Sequence, residues 1–290
     1  IMSTAVMTDE NSGISREKAK ELGIFMMRMP FFINGEVKYQ GTDMTVKEFY
    51  DALDAGAEVS TSQPSPGDVM DMWEGILGQG YDDIIYIPMS SGLSESCNSA
   101  KVFAEDYDGR VEIADNHRIS VTMEQSVYDA LKYAKQGMNA FEIKNRLEKE
   151  AYDASIYIAV DTLAYLKKGG RVTAAAAAIG TVLNLKPVLT IQGEKLDAYA
   201  KERGMKKARH VMIKAMQKDF EERFAELDKQ GRMRLCIAYS HVDDETLQSW
   251  IDEVNEAFPG RNLLISPLSL SIGCHIGPGA LAIAACRMEP

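Results

Sequence analysis

The sequence predicts an α/β protein in which two α/β units pack closely together, the first built on a mostly parallel sheet flanked by helices. Three observations predict it. Short apolar runs rich in β-branched residues alternate with amphipathic stretches of helical period along the whole chain. Hydroxyl-rich loops follow the strand runs, at places where helices begin. No low-complexity linker or internal repeat interrupts the pattern over 290 residues, a length that holds one large domain or two smaller ones.

Residues 5–8 and 24–29 read as strands, and 31–33 with 36–39 flank Asn34-Gly35, a strong hairpin signal. Thr45 and Glu48 form a capping box for a helix that ends before Gly56. Ser65 and Pro66 supply a cap and a first helical residue for 66–79, whose apolar face carries Val69, Trp73 and Ile76. The run from Ile84 to Met89 reads as a buried parallel strand and 111–114 as another, followed by helices over 121–135 and from the Asn139/Glu142 box to Glu150. A boundary falls near residue 155, giving units 1–155 and 156–290. Beyond it come a strand at 156–160, helices at 162–168 and 173–183 broken at Gly169-Gly170, and a hairpin of 187–191 with 195–199. A long amphipathic helix over 205–227 follows, then strand 235–239, helix 246–258, strand 263–265, and a strand at 281–285 that closes the second sheet.

Two hydroxyl clusters and one histidine segment carry the chemistry. Thr61 and Ser62 stand just ahead of the helix start at Ser65, where free N–H groups and the helix dipole favour an anionic oxygen. Ser90, Ser91 and Ser94 follow the strand 84–89, at the carboxyl end where open α/β sheets bind ligands. His275 lies in a glycine-rich bend with Gly277 and Gly279, where backbone approaches a ligand closely. Each cluster also has a purely structural reading as a helix cap or a satisfied histidine. Lys167, Lys168 and Arg171 surround Gly169-Gly170 and make a positive patch in an acidic chain, suited to a partner or to an anionic head group.

A net charge of −11 and a pI near 5.0 argue against a nucleic-acid partner. Cys97, Cys236, Cys274 and Cys286 show no Cys-x-x-Cys spacing, and with no secretory leader they are expected as reduced thiols in the cytoplasm. His117, His210 and His241 lack metal-site spacing, so no metal and no cofactor is expected. No apolar run reaches the roughly 20 residues that span a bilayer. Gly277-Pro278-Gly279 begins a formal dinucleotide pattern but precedes a strand-like run instead of a helix. An acyl hydrolase or transferase using Ser91 or Ser94 with His275 would lack the G-x-S-x-G elbow. A phosphate- or nucleotide-binding domain is a third reading of the same hydroxyls.

Four motifs in order, Thr61-Ser62-Gln63-Pro64-Ser65, Ser90-Ser91-Gly92-Leu93-Ser94, Leu166-Lys167-Lys168-Gly169-Gly170-Arg171-Val172 and His275-Ile276-Gly277-Pro278-Gly279-Ala280, give a chain that resembles the DegV family of bacterial fatty-acid-binding proteins from end to end. Glu95 departs from that pattern, standing where the family has glycine. The resemblance implies a long-chain fatty acid in an apolar tunnel, its carboxylate held by Thr61, Ser62, Ser91 and Ser94 with His275 and Gly277. It also implies a carrier that presents the acid to a separate ATP-dependent fatty acid kinase, which makes an acyl phosphate.

Overall fold

The computed structural model describes residues 3–179 and 184–290. In chain order the first half holds β1 (Thr4–Asp9), α1 (Arg16–Leu22), β2 (Phe25–Met27), β3 (Phe31–Ile33), β4 (Glu36–Lys38), α2 (Val46–Asp54), β5 (Val59–Thr61), α3 (Pro66–Gly78), β6 (Asp83–Ile87), α4 (Ser96–Ala104), β7 (Val111–Ile113), α5 (Ser120–Lys135) and α6 (Ala140–Lys149). There follow β8 (Ala154–Ala159), α7 (Ala164–Gly169), α8 (Ala174–Ala177), β9 (Leu185–Ile191), β10 (Asp197–Arg203), α9 (Met205–Glu221), α10 (Ala225–Lys229), β11 (Met233–Tyr239), α11 (Asp244–Ala257), β12 (Leu264–Pro267), α12 (Leu270–Ile276) and β13 (Leu281–Arg287).

A four-stranded sheet, in the order β2-β1-β6-β7, is parallel throughout. Its strands are buried on both faces, which is why the runs from Ala5 to Asp9 and Asp83 to Ile87 carry apolar residues without alternation. Trp73, Ile76, Cys97 and Ala100 of α3 and α4 cover one face, and Val127, Tyr133, Ile143 and Leu147 of α5 and α6 cover the other. A small antiparallel sheet, β4-β3-β5, sets Thr61 opposite Phe31.

The six-stranded sheet runs β10-β9-β8-β13-β11-β12 and is antiparallel except between β11 and β12. β13 lies inside this sheet, between β8 and β11, whereas the sequence placed it as the closing strand. Its alternating small side chains, Ala282, Ala284 and Cys286 on one face and Ile283 and Ala285 on the other, are buried on both sides, as an interior strand requires. Helices α9 and α11 pack on one face through Met212, Met216, Phe220 and Trp250. The opposite face, with Ile156, Ile158, Ile191, Ala238 and Ala282, looks toward α7 and α12 and bears the cavity described below. Helix α5 packs on β1 of the parallel sheet and also on β11, β12 and β13, so it stands between the two sheets.

Two other expectations shift. The helix expected over 205–227 ends at Glu221, and a second short helix begins at Ala225. The apolar spacing of Phe220, Phe224 and Leu227 continues through the break, because the turn buries Phe224 instead of exposing it. Thr173 caps a helix as expected, its hydroxyl accepting from Ala176 N–H at 3.2 Å, but that helix ends at Ala177; positions 180–183 of the expected span lie outside the described residues.

Candidate functional site

Helix α12 organises the site. Ser269 caps it, accepting from Ile272 N–H at 3.2 Å, and Gly277 ends it with a positive φ of 76° that favours glycine. Ser271, Ile272, His275 and Ile276 then fall on one face, at helical spacing, and together with Leu268, just ahead of the helix, they line a cavity open to solvent at one end. His275 therefore sits in the last turn of a helix and not in a glycine-rich bend. The bend starts one residue after Ile276.

The cavity wall is apolar for most of its length. Ile156, Ile158, Ile191, Ala238 and Ala282 come from the six-stranded sheet, Leu166 from α7 and Val121 from α5. Polar groups gather where β5 meets α12. Thr61 Oγ1 lies 2.8 Å from His275 Nε2, joining the first and last of the expected motifs. Ser62, exposed, and Ser94, half-buried, line the same cavity. Burial, with a smaller push from the Arg171 guanidinium, lowers the His275 pKa from 6.5 to about 4, so the ring is neutral at pH 7. Its Nδ1 is buried with no hydrogen-bond partner among the described residues. In the tautomer with the proton on Nε2, that nitrogen donates to Thr61 Oγ1 and leaves the Thr61 hydroxyl free to donate onward.

Arg171 sits on the rim. Its Nε donates to Leu93 O at 3.2 Å and its Nη1 to Gly169 O at 2.7 Å, tying the Ser90–Ser94 loop to the end of α7. It lines both the main cavity and an outer hollow that holds Ser91, Glu95 and Lys195. Ser94 Oγ accepts from Ser96 N–H at 3.2 Å, so it does the capping work at the start of α4 that Glu95, at the cap position, does not. Glu95 is exposed and lines only the outer hollow.

Other expected residues lie off the cavity. Ser91 uses its N–H to hold Asp115 at 3.2 Å. Ser90 is fully buried and donates to Gly193 O on the β9–β10 hairpin, which makes it a brace for the loop. Lys168 pairs with Glu58 on the surface, and Lys167 donates to Ile179 O at 3.2 Å. Gly277 does not line the cavity; a Cβ there would meet Tyr165 Cε2 at 2.7 Å. The start of α3 is also elsewhere. Ser65 caps it through Asp68 N–H, and Ser65, Pro66 and Asp68 border a separate hollow with Pro30 and Phe32, because the extended segment after β5 carries the chain away from Thr61.

Sequence reasoning missed Asn11 and Ser120, both buried and both lining the cavity. Asn11 follows the end of β1, at the same sheet edge as the Ser90 loop, so the strand-end argument reaches it. Ser120 adopts φ 58°, and no sequence signal marks it. No cluster of three or more His, Cys, Asp or Glu side chains suited to a metal occurs among the described residues. No helix among them is long and apolar enough to cross a membrane.

The sequence profile of the family described as "Uncharacterised protein, DegV family" matches residues 3–288. A DegV domain-containing protein of Deinococcus radiodurans is 30% identical over 291 residues, covering 100% of this chain and 99% of its own. Protein DegV of Bacillus subtilis is 29% identical, covering 98% of this chain and 99% of its own. Among solved structures, a DegV family protein from Thermus thermophilus, described by its fatty-acid binding, superposes with a TM-score of 0.86 at 28% identity, over 99% of this chain and 100% of that one. DegV of Bacillus subtilis, described as a fatty acid binding protein, superposes at 0.82 with 27% identity over 99% and 100%.

Proposed function

The chain belongs to the DegV family, and from that membership we propose that it binds a long-chain fatty acid in the cavity beneath the six-stranded sheet. One observation carries the proposal: a single cavity joins a long apolar wall to a polar end built from Thr61, His275, Ser62 and Ser94. Each methylene buried against Ile156, Ile158 and Ile191 contributes about 0.8 kcal/mol, so a long tail supplies most of the affinity. The carboxylate ends at Thr61, whose hydroxyl donates to it while Thr61 Oγ1 accepts from the neutral His275. Relatives described as fatty-acid-binding proteins support the same ligand class.

On this reading the protein is a cytoplasmic carrier that presents the acid to a separate ATP-dependent kinase, which converts the carboxylate to an acyl phosphate. Arg171, on the rim between cavity and outer hollow, faces that partner or the head group. Ser91, Lys168 and Gly277 hold the surrounding loops. The four cysteines, all free and buried, fit a reducing compartment. Thr61 and His275 are within reach of one another as a nucleophile and a base would be, yet a working base is oriented by a third group and His275 Nδ1 has none among the described residues. This favours the carrier over an acyl hydrolase.

Mass spectrometry of an organic extract of the purified protein, followed by titration of the delipidated protein with oleate, tests the proposal. A co-purified fatty acid and saturation near one equivalent are expected. An extract without fatty acid, together with no uptake of added oleate or palmitate, defeats it.

A further inference from the structure

Gly169 closes α7 in a right-handed helical conformation, where any residue fits and where glycine costs about 1 kcal/mol relative to alanine. Nothing in its backbone calls for glycine. Its neighbour Gly170 is different: φ is 70°, the left-handed cap that favours glycine, and the space around its missing Cβ is open. The two glycines of one motif therefore answer to separate demands.

What Gly169 meets is the imidazole of His275. A Cβ at residue 169 would fall on Nδ1, 2.7 Å from Cε1 and 3.3 Å from Cγ, so any side chain there drives the ring from its place. The same residue's carbonyl oxygen accepts from Arg171 Nη1 at 2.7 Å. One glycine thus seats the ring on its α-carbon and anchors the guanidinium on its carbonyl, and both groups line the cavity.

We propose that Gly169 is the positioning residue of the polar end of the cavity, kept free of a side chain so that the Nδ1 edge of the His275 ring abuts the end of α7 with Nε2 aimed at Thr61. The contact also fixes which nitrogen bears the proton. The α-carbon of Gly169 covers the Nδ1 edge and offers it no acceptor, so the proton stays on Nε2. The functional consequence rests on the fatty-acid reading above; the placement of the ring does not.

The test uses Gly169→Ala in the full chain. In the unliganded protein, nuclear magnetic resonance of the His275 imidazole should show a ring that titrates nearer the ordinary histidine range of about 6.5 than the wild-type ring does. Oleate affinity should fall roughly tenfold or more, while Tm holds or rises because alanine is the better helix former. Should Gly169→Ala lose stability, Gly169→Ala combined with His275→Ser decides the matter. With the ring removed, alanine at 169 should cost nothing relative to His275→Ser alone. An unchanged imidazole titration with unchanged oleate affinity overturns the proposal, and so does a stability loss that persists without the ring. If the wild type takes up no oleate, the fatty-acid reading fails, and the titration still tests the seat.

Discussion

Thr61 and His275 meet across 214 residues of chain, and the contact between them sets what each can do. Thr61→Val keeps the shape of the side chain and removes the hydroxyl proposed to donate to the carboxylate. Oleate affinity measured by calorimetry should fall by about 1.5–3 kcal/mol, roughly ten- to a hundredfold. Retained affinity in a folded variant would show the hydroxyl to be structural only. His275 also carries a pH signature. Its folded pKa of about 4 lies below the ordinary 6.5, so between these values the unfolded chain takes up a proton that the folded chain refuses. Stability should therefore decline as pH falls through this window, by up to about 3 kcal/mol from this one group, and be free of its influence above 6.5. Urea midpoints at pH 7 and pH 4.5 should show a smaller loss in His275→Gln than in the wild type, and equal losses would remove the ring as the cause. Asp9 and Glu10, whose pKa values burial raises to about 6 and about 7, act in the opposite direction as pH rises, so the comparison with His275→Gln is what isolates the ring.

At the scale of elements, the Ser90–Ser94 loop is held from outside its own strand. Ser90 reaches the tip of the β9–β10 hairpin at Gly193, and Arg171 reaches Leu93, so the polar end depends on the second half of the chain for its shape. Ser90→Ala leaves a buried carbonyl without its donor and should cost about 1–3 kcal/mol in unfolding free energy. Thermal melts showing no change would mean that the hairpin holds the loop by packing alone. Sequence reasoning placed strands and helices well wherever a local signal existed: the capping boxes at Thr45 and Asn139, the Asn34-Gly35 turn and the Ser65-Pro66 start are all present. It failed where the cause was tertiary. The segment 270–276 contains glycine, cysteine and β-branched residues, and its helix is held by burial against Tyr50, Phe49 and the cavity wall, contacts absent from local sequence. The three polar groups of the site with the clearest local signals, Thr61, Ser94 and Arg171, all line the cavity. Ser120, with φ 58°, and Gly169, which meets His275 from a distant part of the chain, carry no such signal, and Asn11 is reached only by its place after the end of β1.

For the whole molecule, α5 is the shared element. Its Val127 and Tyr133 pack under the parallel sheet, while Glu124 accepts from Ser266 Oγ at 2.6 Å and Asp129 from Glu289 N–H at 3.0 Å, bonds that tie it to the other side. We propose that the units 1–155 and 156–290 unfold together, since parting them strips buried polar groups of their partners. Trp73 under the parallel sheet and Trp250 under the six-stranded sheet are fully buried and report on one unit each. Variants retaining one tryptophan should give coincident urea transitions, and midpoints that separate beyond error would show two independent units. The topology bears on synthesis as well. β13 follows every other strand in sequence yet lies between β8 and β11, so a chain emerging from the ribosome cannot complete this sheet until β13 has been made. Thr61 is translated early, and His275 arrives just ahead of β13. During most of translation there is accordingly no formed apolar chamber, and a nascent chain has nowhere to lodge the ligand proposed above until its last strand is in place.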